Sequence, residues 1–246
     1  MPELPDILLC LHALQPHVVG QTVQRIRVAS PFVLRTFEPP IESLQGRTIQ
    51  AVSRLGKRIV FNFGDEDFLI IHLMIAGRFR WSEKIGVKPA GKIGLASFDL
   101  TNGTLLLVES SPKKRAGMWV VHGREELAKH HPGGIDVLTC SIAEFTERLT
   151  RGNHTLKRAL TDPKLFDGIG NAYSDEILHA ARLSPYRPAG RLSEAQLAAL
   201  HDAMVSVLSD AVSRSVGQQA ATLKGEKRSG MRVHARTGLP CPVCGD

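Results

Sequence analysis

Three short stretches of this 246-residue chain hold residue types whose spacing suits chemistry. The first is Cys241-Pro-Val-Cys244 near the C-terminus. Two thiolates so spaced reach one tetrahedral metal ion, zinc above all. A structural zinc site needs four ligands, typically from a second such pair about 15–20 residues further on, and the sequence stops at Asp246. Two readings stay open: a sequence cut short, or a poor site completed by His234 and a ligand from outside. The second stretch is Gly168-Ile-Gly170-Asn171, where the glycines let the backbone turn tightly and approach another molecule, and Asn171 is suited to cap the helix that follows. Exposed amides at a helix start attract phosphate; the competing reading is that the glycines serve only helix packing. The third stretch is the opening Met-Pro2-Glu3-Leu-Pro-Asp6. By itself a proline and an acid at a chain terminus mean little, and the rest of the chain must give them a role.

Composition narrows the field. The chain carries a formal net charge of +7, a pI near 9.5 and 43% hydrophobic residues. Wholesale disorder is excluded, and the basic balance points to a polyanionic partner, nucleic acid before membrane. The charge is clustered: Arg214, Lys224, Lys227, Arg228, Arg232 and Arg236 face only Glu226 and Asp246 in the last stretch, and Lys113, Lys114 and Arg115 form a second group. No apolar run reaches the about 18–20 residues of a membrane helix, and no signal peptide is legible. The expectation is a soluble intracellular protein. Cys10 and Cys140 read as buried or incidental thiols.

The elements that must position these residues follow from periodicity. From about residue 20 to 122, eight short runs (TVQRIRV, TIQAVSR, KRIVFNF, FLIIHL, GRFRW, GLASFDL, TLLLVE, GMWVV) alternate with GDED, KPAGK and TNG turns, the pattern of a β-sandwich or barrel. PDILLCLHALQPH ahead of them is a helix with Asp6 as its expected cap. After PGGIDVL the pattern turns helical: IAEFTERLTRG, a short helix around TLKRALTD, NAYSDEILHAARL, and a fourth helix opened by the capping box Ser193 to Gln196, with Leu197, Leu200, Met204, Leu208 and Ala211 on one core face. The expected fold class is α+β multidomain. Domain 1–132 is a β-sandwich with one helix, 133–223 a helical domain, and 224–246 the remnant of a zinc hairpin.

Taken together, MPELPD, RLGKRIVFNF, IIHLMIAGRF, DGIGNAYSDEILHAARLSP and TGLPCPVCG resemble the formamidopyrimidine-DNA glycosylase and endonuclease VIII family, in the family's order and over nearly the whole chain. The resemblance implies a helix-two-turn-helix in the second domain and a base excision repair enzyme, a bifunctional DNA glycosylase and abasic-site lyase acting on oxidatively damaged double-stranded DNA. It implies that Met1 is removed and that Pro2 becomes the nucleophile. A free α-amine with a pKa near about 8 is partly unprotonated at neutral pH, and its attack on C1′ of the sugar leaves an iminium that permits β-elimination. Glu3 is then the general acid and base. Lys57, counted with the catalytic residues, joins His72 and Asn171 in holding phosphates around the everted nucleotide, with Gly170 in the same turn and Tyr173 and Glu176 supporting the helix. Structural zinc belongs on Cys241 and Cys244. A monomer in the bacterial cytoplasm or nucleoid, with no membrane partner, completes the expectation.

Departures from the family pattern bear on substrate choice. Asp6 stands where glutamate is usual. HLMIAG and SPKKRAGMW replace the usual insertion loops, leaving Met74 or Ile75 as one wedge, Arg115 as filler and Ala116 where an aromatic is expected. Asn153 replaces a lysine, with Lys157 the nearest substitute, and Lys224 lies in a short basic stretch of the DNA-binding surface. These changes tilt the expected substrate away from 8-oxoguanine. The alternative they support is a catalytically weak or inactive paralogue that binds damaged DNA without excising bases.

Overall fold

The structure is a computed structural model that describes residues 1–89, 91–215 and 230–245. The chain divides into two compact units: Met1–Pro2 with Cys10–His131, and Glu3–Leu9 with Pro132–Asp246.

The first unit is a sandwich of two four-stranded antiparallel sheets. Strands β1 (Val23–Val28), β6 (Gly94–Leu100), β7 (Gly103–Glu109) and β5 (Gly77–Ser82) form one in the order β1-β6-β7-β5. The other runs β2 (Ala51–Leu55), β3 (Arg58–Asn62), β4 (Asp67–His72), β8 (Gly117–His122). Phe61, Leu69 and Ile71 of the second sheet and Val23, Phe98, Leu100 and Leu105 of the first line a shared interior. Phe61 meets Phe79 edge-on at 6.1 Å between ring centroids. The alternate residues Val60, Phe68, Ile70 and Val121 are also buried, under Leu127 of helix α2 (Arg124–Lys129) and beside Trp119. Coverage of both faces explains why β3 and β4 read as continuous apolar runs rather than alternating ones.

Helix α1 (Leu4–Val18) begins in the second unit and ends in the first. Asp6 sits inside its first turn, not at its cap, and the Asp6 carboxylate accepts the Glu3 N–H at 2.8 Å. This is the reach-back half of a capping box. The Glu3 side chain is thereby left for another task.

The second unit is helical. Helices α3 (Ile142–Thr150), α4 (Leu156–Thr161), α5 (Asn171–Ala180) and α6 (Glu194–Ser215) surround Leu4, Phe145, Phe166, Ile177, Leu200, Met204 and Leu208. A two-residue parallel ladder joins β9 (Ile135–Asp136) to β10 (Phe166–Asp167). The capping box expected at the start of α6 forms, with Ser193 and Gln196 exchanging hydrogen bonds, and Ser141 and Glu144 close a further one on α3. Residues 230–245 contain turns and bends and no strand, so the expected hairpin is not formed among them. They are tied down by side chains of α5 instead of by strand pairing. Among the described residues no helix is long and apolar enough to cross a membrane.

Phe145 is fully buried against Phe166 and His201. Phe145→Ala is expected to cost about 3–5 kcal/mol, read as a lowered urea midpoint with the slope unchanged.

Candidate active site

Glu3 is the centre of the second unit's polar architecture. It is 4% exposed, and its carboxylate accepts three backbone N–H groups at the start of α5: Gly170 at 2.8 Å, Ala172 at 3.0 Å and Tyr173 at 3.0 Å. The first amides of a helix lack intrahelical partners and sit at the positive end of its dipole. Glu3 therefore caps α5 from a distance of 167 residues in sequence. These are the amides that the sequence reading offered to phosphate, and three of them are already engaged. Asn171 is the first helical residue, exposed, with Gly170 and not Asn171 in the cap position.

The glycines of the turn are explained by this approach. A Cβ on Gly170 would lie 2.6 Å from Glu3 Cδ, and one on Gly168, whose φ is +93°, would lie 2.7 Å from Leu4 Cβ. Leu4 N donates to Gly168 O at 2.9 Å. Two consecutive residues of the N-terminal segment thus lie against two glycines of the turn. Pro2 is one peptide bond from this anchor.

Beside Asp6 is a cavity of about 350 Å³ also lined by Tyr173, Glu176, Arg214, Met231 and Arg232, among others. Burial, with Asp6 and Glu3 nearby, pushes the Tyr173 hydroxyl well above its ordinary pKa, so it stays a neutral donor. Lys224 lies outside the described residues.

In the first unit Lys57 occupies the tight β2–β3 turn, next to Arg58. Arg58 donates to the His130 carbonyl and lies over the Trp119 ring, 5.5 Å from its centroid. His72 ends β4, with its Nε2 buried and without a hydrogen-bond partner among the described residues. Burial first, then the charges of Arg58 and Lys57, lower its pKa to about 4. At neutral pH it is an uncharged imidazole within the influence of two cations. Met74 takes a left-handed backbone (φ 54°) that pushes the next residue out, and Ile75 is 55% exposed. Arg115 is exposed on a loop braced by the buried Glu109, whose Oε2 accepts the N–H groups of Arg115 at 2.9 Å and Ala116 at 3.1 Å. Ala116 itself is buried.

Lys157 of α4 donates to Asp175 of α5 at 2.6 Å, and the same carboxylate meets His234 Nδ1 at 2.8 Å. Glu176 accepts the N–H groups of Arg232, Val233 and His234 at 2.8, 3.0 and 2.9 Å. Sequence reading missed Asp175, Glu109 and His179. Acids and a histidine on helical or strand surfaces carry no local signal of what will fold against them. His234, the histidine singled out as a possible metal ligand, is engaged by Asp175; it is His179 of α5 whose Nε2 lies 3.4 Å from Cys241 Sγ. Among the described residues no three metal-ligating side chains meet at one point.

A β-sandwich followed by a helical unit whose glycine turn is capped by the chain's own third residue defines a DNA glycosylase architecture of the helix-two-turn-helix class. Residues 1–117 match the formamidopyrimidine-DNA glycosylase N-terminal domain and residues 136–222 the formamidopyrimidine-DNA glycosylase H2TH domain, and the chain belongs to this family. It is similar to an uncharacterized formamidopyrimidine-DNA glycosylase-like protein of Mycobacterium tuberculosis, 64% identical over 113 residues, 46% of this chain and 72% of that protein. The formamidopyrimidine-DNA glycosylase of Lactococcus lactis is 29% identical over 258 residues, covering 100% of this chain and 92% of the relative. Among solved structures, the Lactococcus lactis enzyme in complex with DNA containing N7-benzyl-Fapy-dG is similar with a TM-score of 0.89 at 27% identity, covering 100% and 92% of the two chains. Its complex with abasic-site DNA gives a TM-score of 0.88 at 27% identity over 99% and 91%.

Two measurements check this geometry. Gly170→Ala should cost at least about 1 kcal/mol, because Glu3 and its amides lose one another. Gly190→Ala, where a Cβ meets nothing within 4 Å, should stay within about 0.5 kcal/mol. For His72 the folded pKa lies below the ordinary 6.5, so its contribution to stability is full above pH 6.5 and is lost as pH falls toward 4. His72→Gln should flatten the decline of unfolding free energy across that window, and the His72 ring protons should titrate near pH 4 by NMR.

Proposed function

We propose that the chain excises damaged bases from double-stranded DNA and cleaves the resulting abasic site through a covalent imine on its terminal proline. The observation that carries the reading is the three-amide anchor of Glu3, which fixes a carboxylate one residue from the Pro2 amine. Solved structures of relatives in complex with DNA containing N7-benzyl-Fapy-dG, carbocyclic 8-oxo-G or an abasic site support a damaged-DNA substrate.

With Met1 removed, the secondary amine of Pro2 attacks C1′ of the damaged nucleotide and the base departs with the C1′–N bond electrons. Ring opening then gives an iminium between Pro2 nitrogen and C1′, as Glu3 takes the proton released by the Pro2 nitrogen and passes it to the sugar oxygen. The iminium draws electrons from the C2′–H bond as the 3′ phosphate leaves, which nicks the strand; water releases the proline. Lys57, His72, Asn171, Lys157 and Lys224 belong in this reading to the DNA-contacting set, positioning phosphates without reading sequence. Lys157 acts there as one end of the Asp175 pair. Ile75, the more exposed of the two wedge candidates, and Arg115 fill the gap left by the everted nucleotide. The cavity beside Asp6 has the size of a small-ligand pocket, within about 300–1,000 Å³, and receives the everted base.

Zinc is proposed as a structural ion on Cys241 and Cys244. It would hold the C-terminal segment in place and contribute nothing to the chemistry. No membrane enters the reading, and the working form is a monomer in the cytoplasm.

The test is borohydride trapping of the Met1-processed protein on a duplex with one abasic site. A covalent adduct mapping to Pro2 is expected, abolished in Pro2→Gly and reduced at least about tenfold in Glu3→Gln. Binding of the duplex with no adduct and no nicking would overturn the lyase reading and leave a protein that recognises damage without processing it.

A further inference from the structure

The two loops that the proposed function places in the gap of the duplex leave the sandwich at one spot. The turn 73–76 runs from β4 to β5 and the loop 110–116 from β7 to β8, so each crosses from one sheet to the other. Their points of departure and arrival are paired. His72 at the end of β4 stands opposite Gly117 at the start of β8, and Gly77 at the start of β5 stands opposite Glu109 at the end of β7. Directly opposite residues of an antiparallel pair have Cα atoms about 4.5–5.5 Å apart. The two crossings therefore run side by side.

Glu109 is the residue common to both. Its backbone ends the β5–β7 ladder at the foot of the Ile75 turn, which closes on itself where Gly77 N donates to Leu73 O at 2.9 Å. A Cβ on Gly77 would lie 2.3 Å from that carbonyl oxygen, so the closed turn has no room for a side chain there. The Glu109 side chain, 1% exposed, serves the other loop: a single carboxylate oxygen accepts the N–H groups of both Arg115 and Ala116. Lys114 folds back to donate to the Glu109 carbonyl, while Arg115 beside it is exposed. Burying a carboxylate is costly unless it is hydrogen-bonded, and here the bonds go to the backbone of the loop that carries Arg115.

We infer that Glu109 is a positioning residue for nucleotide eversion: it sets the Arg115 loop against the Ile75 turn in the free protein, so that both side chains enter the duplex as one pre-formed wedge. The inference rests on the proposed roles of Ile75 and Arg115 and adds the group that holds them in register. Ordering a loop on binding costs conformational entropy, and eversion already carries the cost of unstacking. A loop ordered beforehand by Glu109 adds nothing to that cost.

The experiment follows eversion without chemistry. The full chain is mixed in stopped flow with a duplex that carries a tetrahydrofuran abasic analogue opposite 2-aminopurine, whose fluorescence reports a side chain entering the stack; association is followed separately by anisotropy of an end label. Glu109→Ala should slow the fluorescence step by at least about tenfold, as expected when two amides lose a charged acceptor, with the association rate unchanged. A general folding defect would instead lower the amplitude and leave the rate alone. Glu109→Gln, whose amide oxygen still accepts both N–H groups, should recover most of the rate. Glu109→Asp keeps the charge but withdraws it from the two amides, and should slow the same step; it carries the test if the alanine variant does not fold. Ile75→Ala should slow the step in the parent and much less in the Glu109→Ala background, because the wedge there no longer acts as a unit. A parent fluorescence rate in whichever of Glu109→Ala and Glu109→Asp folds, or effects of Glu109→Ala and Ile75→Ala that simply add, would overturn the inference and leave Ile75 and Arg115 standing as separate wedges. Binding by the parent chain with no change in 2-aminopurine fluorescence would remove the wedge roles themselves, and the inference with them.

Discussion

The carboxylate of Glu3 is the constraint on which the rest of the arrangement depends. A helix start leaves several amides without partners, and a chain terminus is ordinarily frayed. Each problem here solves the other. The N-terminal residue pair is ordered because the amides of Gly170, Ala172 and Tyr173 demand an acceptor, and α5 begins where it does because Glu3 provides one. Asp6 completes the exchange by taking the Glu3 N–H, so the backbone and the side chain of Glu3 are fixed from opposite directions. Gly168 and Gly170 are then steric necessities: any Cβ there would occupy the space of Leu4 or Glu3. Under the proposed reading the nucleophilic amine is one residue before this anchor, and a fixed neighbour is a form of the pre-organisation that a nucleophile needs.

Helix α5 extends the same logic toward its other end. Residues 175, 176 and 179 are neighbours on successive turns, and each takes hold of a different part of the segment from Arg232 to Cys241. A segment with no strands of its own and almost no apolar stripe is held by polar contacts to one helix, with Met231 as its single buried hydrophobic anchor among the described residues. One ten-residue helix therefore carries the cap on the chain's start and the ties on its end.

Much of this was legible in the sequence because it is local. The eight strands, the four principal helices and the Ser193 capping box all arise from periodicity and turn chemistry, and each formed. What was not legible came from pairings between distant residues. Nothing around Glu3 announces that its partners are 167 or more residues away, and nothing around Glu109 announces that it will brace Arg115 through backbone amides. Two local expectations failed for the same physical reason. Asp6 and Asn171 are good capping residues by type, yet the cap of α1 fell one turn earlier and that of α5 was supplied by a remote carboxylate. His234 was the histidine that the sequence placed with the thiols, whereas in the fold Asp175 claims His234 and it is His179 that meets Cys241.

The basic face of the first unit shows why counting cations is a poor guide to how phosphate would be held. Arg58 spends its guanidinium on the His130 carbonyl and the Trp119 ring, and its burial lowers its own pKa. Burial first, and then the charges of Arg58 and Lys57, keep His72 neutral. Under the proposed reading a phosphate there meets an imidazole that offers an N–H rather than a full charge, and binding should depend on geometry more than on bulk salt at that contact. The wedge follows a similar rule of exposure. Unstacking a nucleotide costs a few kcal/mol, and in the proposed reading apolar area must enter the gap to offset it; Ala116 is buried and has none to offer, whereas Ile75, next to the left-handed Met74, is exposed. Under the same reading, apolar area that Ala116 does not offer is supplied from the other loop by Ile75.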